Sequence, residues 1–140
     1  MTLCTEKENQ LKALFAACSS KEEKYQKIIE LGQKLPPLDK SFKTEENLVQ
    51  GCQSIMHLHC WEEDGKLFFL ADSAALISKG LAALLIFVYS GQPKEALLNS
   101  PPSFLSELGI EKALSPGRSN GLLNLFLKMR AFSKTKIFNN

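Results

Sequence analysis

The stretch Gln53-Ser54-Ile55-Met56-His57-Leu58-His59-Cys60-Trp61, followed by Glu63-Asp64-Gly65-Lys66 and the run Leu67 to Leu70, decides the fold. Its side chains alternate. Ser54, Met56, Leu58 and Cys60 fall on one face and Ile55, His57, His59 and Trp61 on the other, which is the period of a strand with one face buried. Asp64-Gly65 between two such runs is a strong hairpin signal, because both residue types tolerate the positive φ of a tight turn. The stretch reads as an antiparallel hairpin, preceded by a short strand at Leu48-Val49 and a polar turn at Gly51-Cys52.

Helices lie on either side of it. Upstream, Leu11, Leu14, Phe15 and Cys18 recur at helical spacing and predict a first helix from about Glu6 to Cys18, with Cys18 in the core. Ser20, with Glu23 three residues on, is a capping-box signature for a second helix that buries Tyr25, Ile28, Ile29 and Gly32. Pro36-Pro37 ends it, since the first proline drives Leu35 out of the helical region and neither donates a backbone hydrogen bond. Asp39 to Asn47 is a polar loop with an exposed acidic pair, Glu45 and Glu46.

Downstream, Asp72 or Ser73 caps a dominant helix over Ala74 to Tyr89, apolar nearly all round and so covered on most sides. Ser90-Gly91-Gln92-Pro93 closes it, and Lys94 to Leu98 and Pro102 to Leu108 read as short helices. Ser115-Pro116 then starts a last helix, serine as cap and proline in the first position, with Leu122, Leu125, Phe126 and Met129 as its buried stripe. Helices packed on one small antiparallel sheet make an α+β protein. With 140 residues, 44% of them hydrophobic, and no dividing linker, one domain over 1–140 is expected.

A formal charge of +2 gives no concentrated basic face, so no nucleic-acid partner is expected. The nearest basic run, Lys128 to Lys136 with Arg130 and Lys134 between, reads as a solvated helix end. Leu81 to Tyr89 is about half of a membrane span, so no membrane partner is expected either. Cys4, Cys18, Cys52 and Cys60 are irregularly spaced, form no C-x-x-C pair and follow no apolar leader. That usage fits a reducing, cytoplasmic setting.

Three chemical readings of Cys52 stand side by side: a nucleophile or sulfur acceptor presented in a turn, a metal ligand, and a packed thiol. The metal reading draws on Cys52, His57, His59 and Cys60 within nine residues. Strand parity works against it, because His57 and His59 share a face while Cys60 points to the other. A Cys-His hydrolase would need an orienting carboxylate and an oxyanion hole, and the sequence offers neither. Arg118 stands in the first turn of the last helix, where a cation opposes the helix dipole; an anion such as a cysteine thiolate or persulfide held there would account for it. Gly121 inside the same helix costs about 1 kcal/mol relative to alanine and marks a close backbone approach.

Taken together, the segments resemble the SufE family of sulfur-acceptor proteins. The matching pieces are Glu23-Lys24-Tyr25 with Ile28 to Gly32, Leu35-Pro36-Pro37-Leu38, Val49-Gln50-Gly51-Cys52-Gln53-Ser54, Ala71-Asp72-Ser73, Lys79-Gly80-Leu81-Ala82-Ala83-Leu84, Tyr89-Ser90-Gly91, and Ser115-Pro116-Gly117-Arg118-Ser119-Asn120-Gly121-Leu122. They occur in family order over roughly Leu11 to Arg130. The resemblance implies a fold shared with the IscU-type scaffolds. It also implies a sulfur carrier, not an enzyme in its own right, that activates a SufS-type cysteine desulfurase by transpersulfuration.

By that resemblance Cys52 accepts the persulfide sulfur, with Arg118 as anion stabiliser and Gly51, Gln53, Ser54 and Asp72 as binding positions. The sulfur then passes to a SufBCD-type scaffold complex of iron–sulfur cluster assembly. No cofactor or metal is implied for the chain itself, since pyridoxal phosphate belongs to the desulfurase, and the chain would act as monomer or homodimer. Two positions depart from the family pattern: Met56-His57-Leu58 stands where Val-Trp-Leu is frequent, and Ala74 where an acid is frequent. The alternative reading is a metal or iron–sulfur scaffold built on Cys52, His57, His59 and Cys60.

Overall fold

The computed structural model describes residues 3–110 and 114–135. The hairpin is where the alternation put it: β1 (Met56–Glu63) pairs antiparallel with β2 (Lys66–Ser73), in a register that sets Glu63 against Lys66 and His57 against Asp72. Asp64 (φ 51°) and Gly65 (φ 77°) both take the left-handed region that a two-residue turn requires. β2 is longer than the run Leu67 to Leu70 suggests and continues to Ser73. A third strand, β3 (Gln92–Pro93), pairs with Lys66 and Leu67, giving the order β1-β2-β3. Two residues containing a proline carry no strand signal, and Pro93 is tolerated because the strand is an edge.

Before the hairpin come α1 (Thr5–Ala16), α2 (Lys21–Gln33) and a single 3-10 turn at Lys40–Phe42. After it come α3 (Leu76–Tyr89), α4 (Lys94–Asn99), α5 (Phe104–Glu107) and α6 (Pro116–Ser133). Met56 and Leu58 of β1 and Leu67, Phe69 and Ala71 of β2 form the inner face of the sheet and are buried in one core with α3. α3 is covered almost all round, with Leu84, Leu85, Val88 and Tyr89 fully buried. α2 crosses it at a point where no side chain fits. A Cβ on Gly32 would come 2.6 Å from the backbone nitrogen of Gly80, and one on Gly80 would run into the Ile28 carbonyl.

The cap of α2 follows the sequence with one shift: the Ser20 hydroxyl accepts from the Glu23 amide at 3.1 Å, while the Glu23 carboxylate accepts from the Ser19 amide and hydroxyl. Four expectations are corrected. α1 stops at Ala16, so Cys18 lies beyond it, half-buried instead of in the core. Leu14 is exposed, because α1 meets its neighbours through Leu11 and Phe15. Neither Asp72 nor Ser73 caps α3: both are still in β2, and the helix begins at Leu76 after an N-cap residue, Ala75, that makes no side-chain bond. The predicted strand at Leu48-Val49 is a single bridge from Leu48 to His57. Of the basic run, Lys136 lies outside the described residues.

Candidate functional site

Cys52 follows a turn at Gln50-Gly51 and is laid against the start of α6. Gly51 takes φ 79°, and a Cβ there would strike the Asn124 side chain. Cys52 is half-buried, and its thiol points at the Gly121 carbonyl, 3.8 Å away. A Cβ on Gly121 would sit 3.2 Å from that sulfur. Gln53 lies across Gly117, where a Cβ would come 2.5 Å from its Cδ, and its Oε1 accepts from the Ser115 hydroxyl at 3.1 Å. Residues 51, 52 and 53 thus run over Asn124, Gly121 and Gly117, which share one helix face at i, i+4 and i+7.

That groove is what the sequence-level reading leaves out. Gly121 reads as a close approach and proves to be one, but Gly117 and Asn124 are not singled out. The available signal is the Gly-x-x-x-Gly spacing, with Gly117 in the first turn of α6 and Gly121 in its interior, where a glycine costs about 1 kcal/mol.

Behind the sulfur is a cavity of about 10 Å³, bordered by Cys52, Met56, Leu81, Arg118, Leu122 and Leu125. Such a space is about the smallest that admits one water-sized atom. Arg118 is half-buried; its backbone amide donates to Ser115 at 3.2 Å, while its buried Nε has no hydrogen-bond partner among the described residues. A buried donor left unpaired within the protein is uncommon. Burial pushes the Cys52 thiol above its ordinary pKa, with no charged neighbour offsetting it. The resting side chain is therefore a thiol, not a thiolate.

Ser54 is half-buried in the bend between Cys52 and β1. Asp72 does not line the cavity; it stands across from His57 and binds Lys43 at 2.7 Å and Lys79 at 3.3 Å. Burial alone would raise its carboxyl pKa, but the hydrogen bonds and charges of the two lysines outweigh this and hold it below the ordinary range. No group of three His, Cys, Asp or Glu side chains among the described residues is placed to hold an ion. Cys60 faces inward, and His59 is stacked between Phe42 and Trp61 with ring centroids 3.7 and 5.0 Å away. Neither histidine lines the Cys52 cavity, so no Cys-His pair forms there.

A small α+β domain that holds one half-buried thiol on a tight turn, against a glycine-lined helix and at a cavity that an arginine also lines, belongs among thiol-presenting proteins. The family described as "SufE: Fe-S metabolism associated domain" matches residues 9–133. SufE-like protein 1, chloroplastic/mitochondrial, of Arabidopsis thaliana is 40% identical over 118 residues, which are 84% of this chain and 32% of that protein. The cysteine desulfuration protein SufE of Plasmodium vivax is 39% identical over 121 residues, 84% of this chain and 48% of that one. The solution structure of a hypothetical protein from Thermus thermophilus superposes with a TM-score of 0.76 at 30% identity, covering 91% of this chain and 93% of that one. The chain belongs to the SufE family, and with it to iron–sulfur metabolism. It spans about a third and about half of the length of the plant and Plasmodium relatives. Among the described residues no helix is long and apolar enough to cross a membrane.

Proposed function

We propose that Cys52 accepts sulfur from the persulfide of a cysteine desulfurase and hands it on to iron–sulfur cluster assembly. The observation that carries this reading is the half-buried Cys52 on its turn, lining a cavity about one atom in size whose lining also includes Arg118, the residue with the unpartnered Nε. The name of the Plasmodium relative, a cysteine desulfuration protein, points the same way.

In the proposed step the Cys52 thiol loses its proton and the thiolate attacks the outer sulfur of the partner's persulfide. The partner's S–S bond breaks, its cysteine leaves as a thiolate that takes up a proton, and Cys52 carries the new S–S bond. No electron is gained or lost overall. Persulfide exchange has the form of thiol–disulfide exchange, so its rate follows thiolate fraction and access. Both are low at rest, because the thiol is half-buried and its pKa is raised. Docking of the partner therefore has to lift residues 51–53 from α6 or bring positive charge to the sulfur. Once the sulfur is loaded, the small cavity would house the outer atom, and Arg118 would supply the donor its charge needs.

On this reading the chain is a carrier and activator, and the pyridoxal phosphate chemistry stays with the desulfurase. Four cysteines without a disulfide among the described residues suit a reducing compartment. The test is desulfurase turnover of L-cysteine with and without this chain. The wild type raises alanine release several-fold, and Cys52→Ser removes the stimulation. Equal stimulation by Cys52→Ser would assign the effect to docking alone.

A further inference from the structure

A second and larger cavity, of about 500 Å³, opens along the free edge of β1 and shares no lining residue with the space behind Cys52. Its back is apolar, made by Leu58, Cys60 and Phe132, and its side wall by the stacked rings of Phe42 and His59. Burial lowers the pKa of His59, so this wall is an uncharged aromatic surface at neutral pH. The one cation on the lining among the described residues is Lys128, seven residues and about 10 Å beyond Gly121 along α6. Its Nζ is oriented by a hydrogen bond to the Glu46 carbonyl at 3.0 Å, which leaves further protons for a ligand.

The strand register supplies a second donor. The Leu58 amide donates to Asn47 and the Met56 carbonyl accepts from Val49, so the even-numbered peptide groups of β1 face away from β2. Beyond Leu58 the covering segment turns off, because the Asn47 amide is taken by Thr44. The Cys60 N–H therefore lies on the open edge, with no partner among the described residues. Lys128 acts on Cys60 as well: its charge partly offsets the burial that pushes this thiol up to about 12. Ammonium and amide thus border one cavity whose back and one wall are aromatic and aliphatic, while Ser41, Thr44, Asn47, Thr135 and the exposed Glu46 make up the polar rest of its lining.

We propose that this cavity is a binding site for a small aromatic carboxylate, whose anionic group meets the Lys128 ammonium and the Cys60 amide while its ring packs on Phe42 and Phe132. The volume is within the usual range for a ligand of that size. The site stands apart from sulfur transfer and does not depend on it.

Indole-3-acetate is the probe, titrated into the uniformly 15N-labelled chain and followed by amide chemical shifts up to about 5 mM, where a millimolar site is mostly filled. The His59, Cys60 and Phe132 amides should shift saturably, and the neutral indole-3-acetamide should bind at least tenfold more weakly, as expected for loss of a charge-assisted hydrogen bond. Lys128→Met should weaken the acid by a similar factor and leave the amide's affinity unchanged. Absence of saturable shifts, shifts centred on Cys52 and Gly121, or equal affinities for acid and amide would each overturn the proposal. The acid-to-amide comparison uses the wild-type chain, so it decides the matter even if the variant does not fold.

Discussion

Cys52 keeps its proton at rest, and the features that keep it there are single residues. Gly121 lets the sulfur approach the helix backbone, and the apolar side chains behind it, Met56, Leu81 and Leu122, make ionisation unfavourable. Alkylation of Cys52 should therefore keep accelerating above the pH at which an unburied cysteine is half ionised, since the raised pKa leaves less thiolate at any given pH. Gly121→Ala tests the cause. Its Cβ would press on the sulfur at 3.2 Å and turn the thiol outward into water. The alkylation profile should move to lower pH by roughly half a unit as desolvation is relieved. Fold stability should change little, because alanine's gain of about 1 kcal/mol in helix propensity works against the crowding. A profile that stays put would mean that the thiol turns into the cavity instead. Arg118 belongs to this scale too: its first-turn position makes it conspicuous in sequence, but only the structure reveals that its Nε is buried and unpaired.

Among the elements, α6 and the turn before β1 form one device, joined through Ser115. That hydroxyl accepts from the Arg118 amide, capping the helix, and donates to Gln53, tying the cysteine turn to the same helix end. Ser115→Ala removes both bonds. It should lower the unfolding free energy by about 1 kcal/mol, the usual size of a lost cap, and should raise amide hydrogen exchange at residues 51–54 more than in the rest of α6. Exchange that rises only within the helix would show that Gln53 is held by its packing on Gly117 alone. The cap itself is legible in Ser115-Pro116, and the hairpin in Asp64-Gly65, because each is decided by local backbone preference. The crossing of residues 51–53 over Gly117, Gly121 and Asn124 is not legible, since it joins segments more than sixty residues apart. The same limit explains β3, whose two residues are a strand only because Lys66 and Leu67 lie beside them. It explains the start of α3 as well: pairing with β1 keeps Asp72 and Ser73 extended where their residue types suggest a cap.

In the whole molecule, thiols are part of the fold as well as of its chemistry. Burial, helped by the charge of Glu8 and opposed by a hydrogen bond from Ser100, raises Cys4 to about 11; burial raises Cys60 to about 12 despite Lys128. In the unfolded chain both would ionise near 9.0, so above that pH the folded state holds protons that the unfolded state has released. Stability then falls as pH rises, through the window from about 9 to about 12. The urea midpoint should drop between about pH 8 and about pH 10.5, and Cys60→Val should make the drop shallower; an equal drop in the variant would place the lability elsewhere. One thiol of the four is set apart from this structural role by its turn, its cavity and its arginine. The most direct test of that distinction is the mass of the chain after incubation with a cysteine desulfurase and L-cysteine. Sulfur transfer to Cys52 gives a gain of about 32 Da, one sulfur atom, that fragmentation of the peptide from Thr44 to Lys66 places on Cys52 and not on Cys60. No gain, a gain on Cys60, or an equal gain in Cys52→Ser would contradict it.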